Sequence, residues 1–475
     1  MQMTDLSFLL YFLPAMLLGY FALSFSGKAQ NLWLVLASFL FYSFGSITYG
    51  ILLFVMAMIN YHLGYVVQNH VSKRMMWFAV AVNILPLIFF RHLHPLISGI
   101  AGLFDVEIAE FAAVPLGISF IALQGISYVV DIARGKVKWN PRFTDTALYL
   151  SFFPVLQAGP VIRYHQVAHQ IKERQVSFDK VTEGICRFVA GLAKVVLIAA
   201  PLLKVADIVF EQSNNSGVYT TVPILLALLG LMSFAVGIYH QLSGFSDMVT
   251  GLGGILGFVY PENFNYPIMA SSMTLFWKRC YISLTEWFEE YVYQSLETDR
   301  TNNDRMVLHL LFMWVLIGLW LGPGIPNLIF GLLSFLVILI ERIVELDEKE
   351  SGSPLRHAYV VFIMLVSAAA LKTDTIYQFT LFISNLFGMS GGGFYSELAV
   401  ALWNEIWYVF VLGLICSFPI TAKIRQAAGR SGSIAARAVY IFYPVVMAMA
   451  ALLLLITLSN SSYDPGQLIH LQLWR

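Results

Sequence analysis

The chain has 475 residues, 58% hydrophobic and only 12% charged, with a formal net charge of zero. A soluble domain carries about 25% charged residues, so this composition, laid out in long apolar runs, excludes a soluble enzyme and defines an all-α polytopic membrane protein. Zero net charge gives no basic field for nucleic acid, and Cys186, Cys280 and Cys416 are too far apart, with no CxxC or His-rich tract, to suggest a metal centre.

Ser7–Ser26 is apolar and follows the acidic opening MQMTD, with no basic n-region, so it reads as a retained first helix rather than a signal peptide. A spanning helix needs about 20 mainly apolar residues. Spans are expected near 7–26, 31–46, 48–68, 75–91, 113–131, 181–204, 219–240, 305–321, 327–343, 357–372, 402–420 and 436–458. Two segments are interrupted: Ala147–Val161, with Pro154, Gly159 and Pro160, and the glycine-rich Gly244–Tyr260. Backbone freed by Gly and Pro is tolerated at membrane depth only inside protein or beside a wet cavity, so both read as re-entrant or broken helices. Gly253, Gly254 and Gly257 read as close helix packing.

Basic residues gather around Lys28, Lys73–Arg74, Arg134–Arg142, Arg163–Lys180 and 423–437. Taken as cytoplasmic loops, they put the N-terminus and the tail Asn460–Arg475 outside. The acidic run Glu345–Glu350 reads as a solvated loop. No internal repeat supports an inverted-repeat transporter.

The densest polar feature is Phe276–Tyr291, FWKRCYISLTEWFEEY, with Lys278, Arg279, Glu286, Glu289 and Glu290 close together. Charge at membrane depth is costly, so such residues line a cavity, pair, or sit at the interface. Lys278 and Arg279 either hold a donor's phosphates or pair with the glutamates one or two turns on. The three cysteines read as small apolar packing residues, and Cys280, beside Arg279, is the one whose thiol pKa that charge could lower. Asp247 is a cap, an ion-pair partner or a site group. Asp131 and Arg134, three apart at a helix end, read as a local pair. Trp277, Trp287 and Trp320 read first as core or interface anchors.

Several segments occur in an order that carries a resemblance. They are VPLGISFIALQGISYVVDIARG (Val114–Gly135), SFFPVLQAGPVIRY (Ser151–Tyr164) and LSGFSDMVTGLGGILGF (Leu242–Phe258). ENFNYP (Glu262–Pro267), FWKRCYISLTEWFEEYVY (Phe276–Tyr293), GLWLGP (Gly318–Pro323) and the tail YDPGQLIHLQL follow. Together they resemble the membrane-bound O-acyltransferase superfamily, in its bacterial branch of alginate O-acetyltransferases and teichoic-acid D-alanyl transferases, from about residue 110 to the end.

The resemblance implies roughly 11–13 helices with re-entrant segments in a ring around a central tunnel. It implies N-terminal helices over 1–110 and an acyltransferase core over 111–475, as one integrated domain of a bacterial inner membrane. It implies acyl transfer from a cytoplasmic donor such as acetyl-CoA, with no bound cofactor, to an extracytoplasmic polysaccharide or wall polymer. Membrane lipids and an extracytoplasmic acyltransferase or polymer-export protein are the implied partners, and nucleic acid is not.

The chain departs from the family pattern where the chemistry is expected. Transfer to a hydroxyl needs a base and oxyanion donors. The family's histidine positions are held here by Tyr281 and Leu321, and an acidic position by Gln241. Leucine accepts no proton, and an ordinary tyrosine is neutral at pH 7. His240 is the candidate stand-in. His309 lies twelve residues before Leu321, about 18 Å along a helix, too far to replace it. Asp247, Lys278, Arg279, Tyr281, Ser283 and Trp320 are the substrate or tunnel candidates. Two readings stay open: an active transferase with a rearranged base, or a catalytically degenerate relative serving as scaffold or accessory subunit.

Overall fold

The computed structural model describes residues 1–419 except 71, 103–113, 141, 213, 216–217, 220, 297–302 and 347–351, together with 454, 457 and 458. The basic loop at 423–437, nearly all of the expected span 436–458, the tail Asn460–Arg475 and most of Glu345–Glu350 lie outside the described residues.

The described chain is all-α apart from a two-residue ribbon pairing Asn214–Asn215 with Val218–Tyr219 and one isolated bridge. Seven described helices are long and apolar enough to cross a membrane. They are Ile47–Asn69, Lys73–Ser98, Phe178–Glu211, Ile224–Ile255, Ile325–Ile343, Pro354–Lys372 and Glu397–Cys416. Phe8–Ala22, Ile118–Ala133 and Arg305–Leu321 are shorter apolar helices. Starts are set by local chemistry. The hydroxyls of Ser26, Ser72, Thr375 and Ser396 each accept a backbone N–H of the first turn, satisfying a donor the helix leaves open. Pro86 removes one N–H from its helix, and the wider π turn Ile88–Leu93 follows directly.

The interrupted segment at 147–161 is broken as its prolines suggest. Helix Phe143–Ser151 stops, Phe153–Ala158 makes a short second helix, and the chain leaves it extended at Gly159. The segment at 244–260 is not broken where expected. Helix Ile224–Ile255, 32 residues and about 48 Å long, continues unbroken past Gly244 and ends at Ile255, inside the segment. Its glycines admit neighbours instead: a Cβ on Gly244 would lie 2.7 Å from the Gly191 carbonyl oxygen, and one on Gly251 would lie 2.6 Å from that of Gly184. Gly253 makes room for the Tyr260 ring and Gly254 has only ordinary contacts. Gly257, expected as a packing glycine, instead takes φ 83° just beyond the helix end, where a side chain would be strained.

The chain divides into two compact units. The first comprises Met1–Phe188 and Met248–Pro261, so residues 111–188 cluster with the N-terminal helices. Within it, helix Ile118–Ala133 buries every residue from Ile118 to Ile132, its polar Ser119, Gln124, Ser127 and Asp131 included. Fully buried Asn60 and Asn83 exchange side-chain hydrogen bonds of 2.8 and 3.0 Å, and each amide also donates to a carbonyl of its own helix. Gly125 lets the pair fit, because a Cβ there would lie 1.9 Å from Asn83 Oδ1.

The second unit comprises Val189–Asp247 and the described part of Glu262–Leu473. Phe210 and Phe382 stack at 4.2 Å within a core drawn from several of its helices. Beside it Lys372 pairs with Asp207 at 2.5 Å and lies over the Phe234 ring. Helices Asn303–Leu321 and Ile325–Ile343 meet closely, since a Cβ on Gly331 would lie 2.4 Å from the Trp314 carbonyl oxygen.

Candidate acyl-transfer site

The charged knot folds as a compact turn against 263–265. The Asn265 N–H donates to the Arg279 carbonyl at 2.8 Å and the Ile282 N–H to the Asn263 carbonyl at 2.9 Å. Asn263 Oδ1 accepts from the Ser283 N–H at 3.0 Å and from the Ser283 hydroxyl at 2.8 Å. Ser283, read as a site candidate, thus gives its proton to the turn itself. The reversal forces Tyr281 into the left-handed region, φ 51° and ψ 49°, a conformation costing about 1–2 kcal/mol for an L-residue. Its side chain is buried, with the ring centroid 5.8 Å from that of Phe264, and burial raises its phenol further above the ordinary value.

The charges of the knot face outward to differing degrees. Lys278 and Glu289 are exposed, whereas Arg279, Glu286 and Glu290 are half-buried. Trp277 packs against Trp314 and Phe330 as an anchor, and Trp287 and Trp320 are buried. Leu321 is the half-buried last residue of its helix. Cys280 is a desolvated packing residue rather than a thiol activated by Arg279: burial pushes it up to about 12. A higher pKa means less thiolate at any working pH. The thiolate population at pH 8 falls about a thousandfold, and greater intrinsic nucleophilicity restores only part of the rate. With Cys186 and Cys416 replaced by alanine, iodoacetamide labelling of Cys280 should run at least about thirtyfold slower than that of free cysteine. Labelling at the free-thiol rate would show that the thiol is not desolvated.

A second polar group sits between helices of the same unit. Asp247 accepts from Lys194 Nζ at 2.6 Å, with both side chains largely buried. Lys194 opens the π turn Lys194–Ala199; such bulges are frequent at functional sites. Sequence reading anticipated a partner for Asp247 but missed Lys194. The signal was present as a lone lysine inside the apolar run GLAKVVLIAA.

His240 is fully buried, and its Nε2 lies 2.8 Å from the Gly413 carbonyl oxygen and 3.3 Å from Ser417 Oγ. A line of rings joins it to the knot: His240 to Tyr239 at 5.0 Å, Tyr239 to Phe264 at 6.0 Å, and Phe264 to Tyr281. Two intervening rings thus separate His240 from Tyr281, with Lys194 within electrostatic reach of His240, and Asp247 and Cys280 within reach of Tyr239. His309 lies elsewhere on its helix, edge-on to Tyr293 at 6.4 Å.

The first unit holds an arrangement that chain spacing did not suggest. The buried carboxylate of Asp131 accepts the His165 backbone N–H at 2.9 Å and stands 3.0 Å from His165 Nδ1. Asp131 thus takes a partner 34 residues away, beyond the neighbouring Arg134 that its position suggested.

The membrane-bound O-acyltransferase family profile matches residues 34–346, which include Tyr281, His240 and Leu321 and begin well before residue 110. The chain is 32% identical over 380 residues to the probable alginate O-acetylase AlgI of Azotobacter vinelandii, covering 78% of this chain and 74% of that protein. It is 28% identical to the peptidoglycan O-acetyltransferase of Helicobacter pylori, covering 70% of this chain and 69% of that one. A teichoic acid D-alanyltransferase of Bacillus subtilis matches at 26% over 46% of this chain and 56% of its own length. With seven helices able to cross a bilayer, the chain is a multi-pass protein of the bacterial inner membrane. It belongs to the membrane-bound O-acyltransferase family.

Proposed function

We propose that this protein transfers an acyl group, taken from a cytoplasmic thioester donor such as acetyl-CoA, to hydroxyls of an extracytoplasmic polysaccharide or wall polymer. The observation that carries this reading is the similarity, over most of both chains, to an alginate O-acetylase and a peptidoglycan O-acetyltransferase. Their names give O-acetylation of alginate and of peptidoglycan. An extracytoplasmic acyltransferase or polymer-export protein would work beside it, with membrane lipids as the surrounding partner.

Tyr281 and Leu321 favour a second reading, an accessory subunit without turnover, because neither side chain is a base at neutral pH. Purified protein in vesicles, given labelled acetyl-CoA and either alginate or peptidoglycan fragments, separates the two. Transfer by the unmodified chain is expected. Transfer only by the Tyr281→His, Leu321→His double variant would establish the accessory reading and overturn the first.

A further inference from the structure

His240 makes its one short polar contact through the nitrogen that does not need to react. A carbonyl oxygen only accepts, so the 2.8 Å contact with Gly413 places the proton on Nε2. Ser417 donates to the same carbonyl through Oγ at 2.8 Å and through its backbone N–H at 3.0 Å, which leaves that oxygen engaged three times and the ring orientation fixed. In the neutral ring Nδ1 then carries a lone pair. It is wholly buried, and among the described residues no donor reaches it. A buried acceptor left unmet costs about 1–3 kcal/mol. A histidine that served only to clamp helix Ile224–Ile255 to helix Glu397–Cys416 has no use for a bare Nδ1, and glutamine would make the same clamp without it.

Resting on the acyl-transfer reading above, we propose that His240 Nδ1 is the proton acceptor of this chain. The acceptor hydroxyl gives its proton to Nδ1 as its oxygen bonds to the thioester carbonyl carbon. Collapse of the tetrahedral adduct breaks the C–S bond, and the proton passes from Nδ1 to the departing thiolate sulfur. The Gly413 carbonyl, holding Nε2–H, steadies the imidazolium in between, the part that a carbonyl or carboxylate plays behind many reactive histidines. The base therefore sits on the long helix Ile224–Ile255 rather than at position 281 or 321.

His240→Gln tests this directly, because the glutamine amide can still donate to the Gly413 carbonyl while offering no nitrogen lone pair. The assay is the vesicle transfer reaction with labelled acetyl-CoA, with thermal unfolding of each variant in detergent alongside. Expected is a folded variant whose kcat drops about 10²–10⁴-fold, the range of a general base, with KM for acetyl-CoA unchanged. His240→Asn, of different shape and equally without a base, asks the same question should the glutamine variant not fold. A folded variant of either kind that transfers at the unmodified rate overturns the proposal and leaves the acyl-transfer reading standing. Absence of transfer by the unmodified chain overturns both.

Discussion

Glu341→Leu is expected to lower the stability of the detergent-purified protein by on the order of 3 kcal/mol. The carboxylate is buried on helix Ile325–Ile343, where the Tyr359 hydroxyl also meets it, and accepts three hydrogen bonds from the start of helix Met273–Trp277. These come from the Met273 N–H at 2.5 Å, the Thr274 N–H at 2.9 Å and the Thr274 hydroxyl at 2.8 Å. The first two are opening donors of helix Met273–Trp277, which no intrahelical carbonyl can reach. A buried donor left unmet costs about 1–3 kcal/mol, and leucine would take the acceptor away from these donors. Glu341→Gln should be intermediate, since one amide oxygen still accepts while the NH₂ group faces a donor. The unfolding midpoint followed by tryptophan fluorescence gives the ranking. An unchanged midpoint for the leucine variant would mean that water or lipid headgroups meet these donors instead. Because this helix leads straight into Lys278–Tyr281, the loss should also slow transfer.

The Lys194–Asp247 pair should show the opposite logic in a double-mutant cycle. Its side chains are 28% and 19% exposed, so it lies between the exposed pairs that contribute little and the buried pairs whose halving is severe. Lys194→Met alone, or Asp247→Leu alone, removes one half of the ion pair and should destabilise by about 2 kcal/mol. The double variant removes both charges and should recover most of that loss. Additive losses in the cycle would show that each side chain acts independently of the other.

Which parts of this molecule could be read from the sequence follows from the range of the interactions involved. Membrane class, helix content and the break near Phe152 follow from composition and from Pro154 and Gly159, local facts of the chain. The glycines after Gly244 misled because their meaning depends on a neighbour: set against the Gly191 and Gly184 carbonyls they tighten a helix contact rather than end a helix. Asp247 was legible as a charge needing a partner, but Lys194 lies 53 residues away. Asp131 and His165 meet through folding alone. The left-handed backbone of Tyr281 is likewise imposed by its pairing with 263–265, since tyrosine itself disfavours it.

The mutual bonding of Asn60 and Asn83 bears on how the protein is made. An asparagine amide entering lipid alone faces hydrocarbon with unmet donors. Here each amide nitrogen finds two acceptors, one on its own helix and one on the other asparagine. Helices Ile47–Asn69 and Lys73–Leu87 are consecutive, so the ribosome completes both before Ile118 is added. The hairpin can leave the insertion machinery as a unit already closed to hydrogen bonding. Helix Ile118–Ala133, bringing Gly125, then docks on a finished surface.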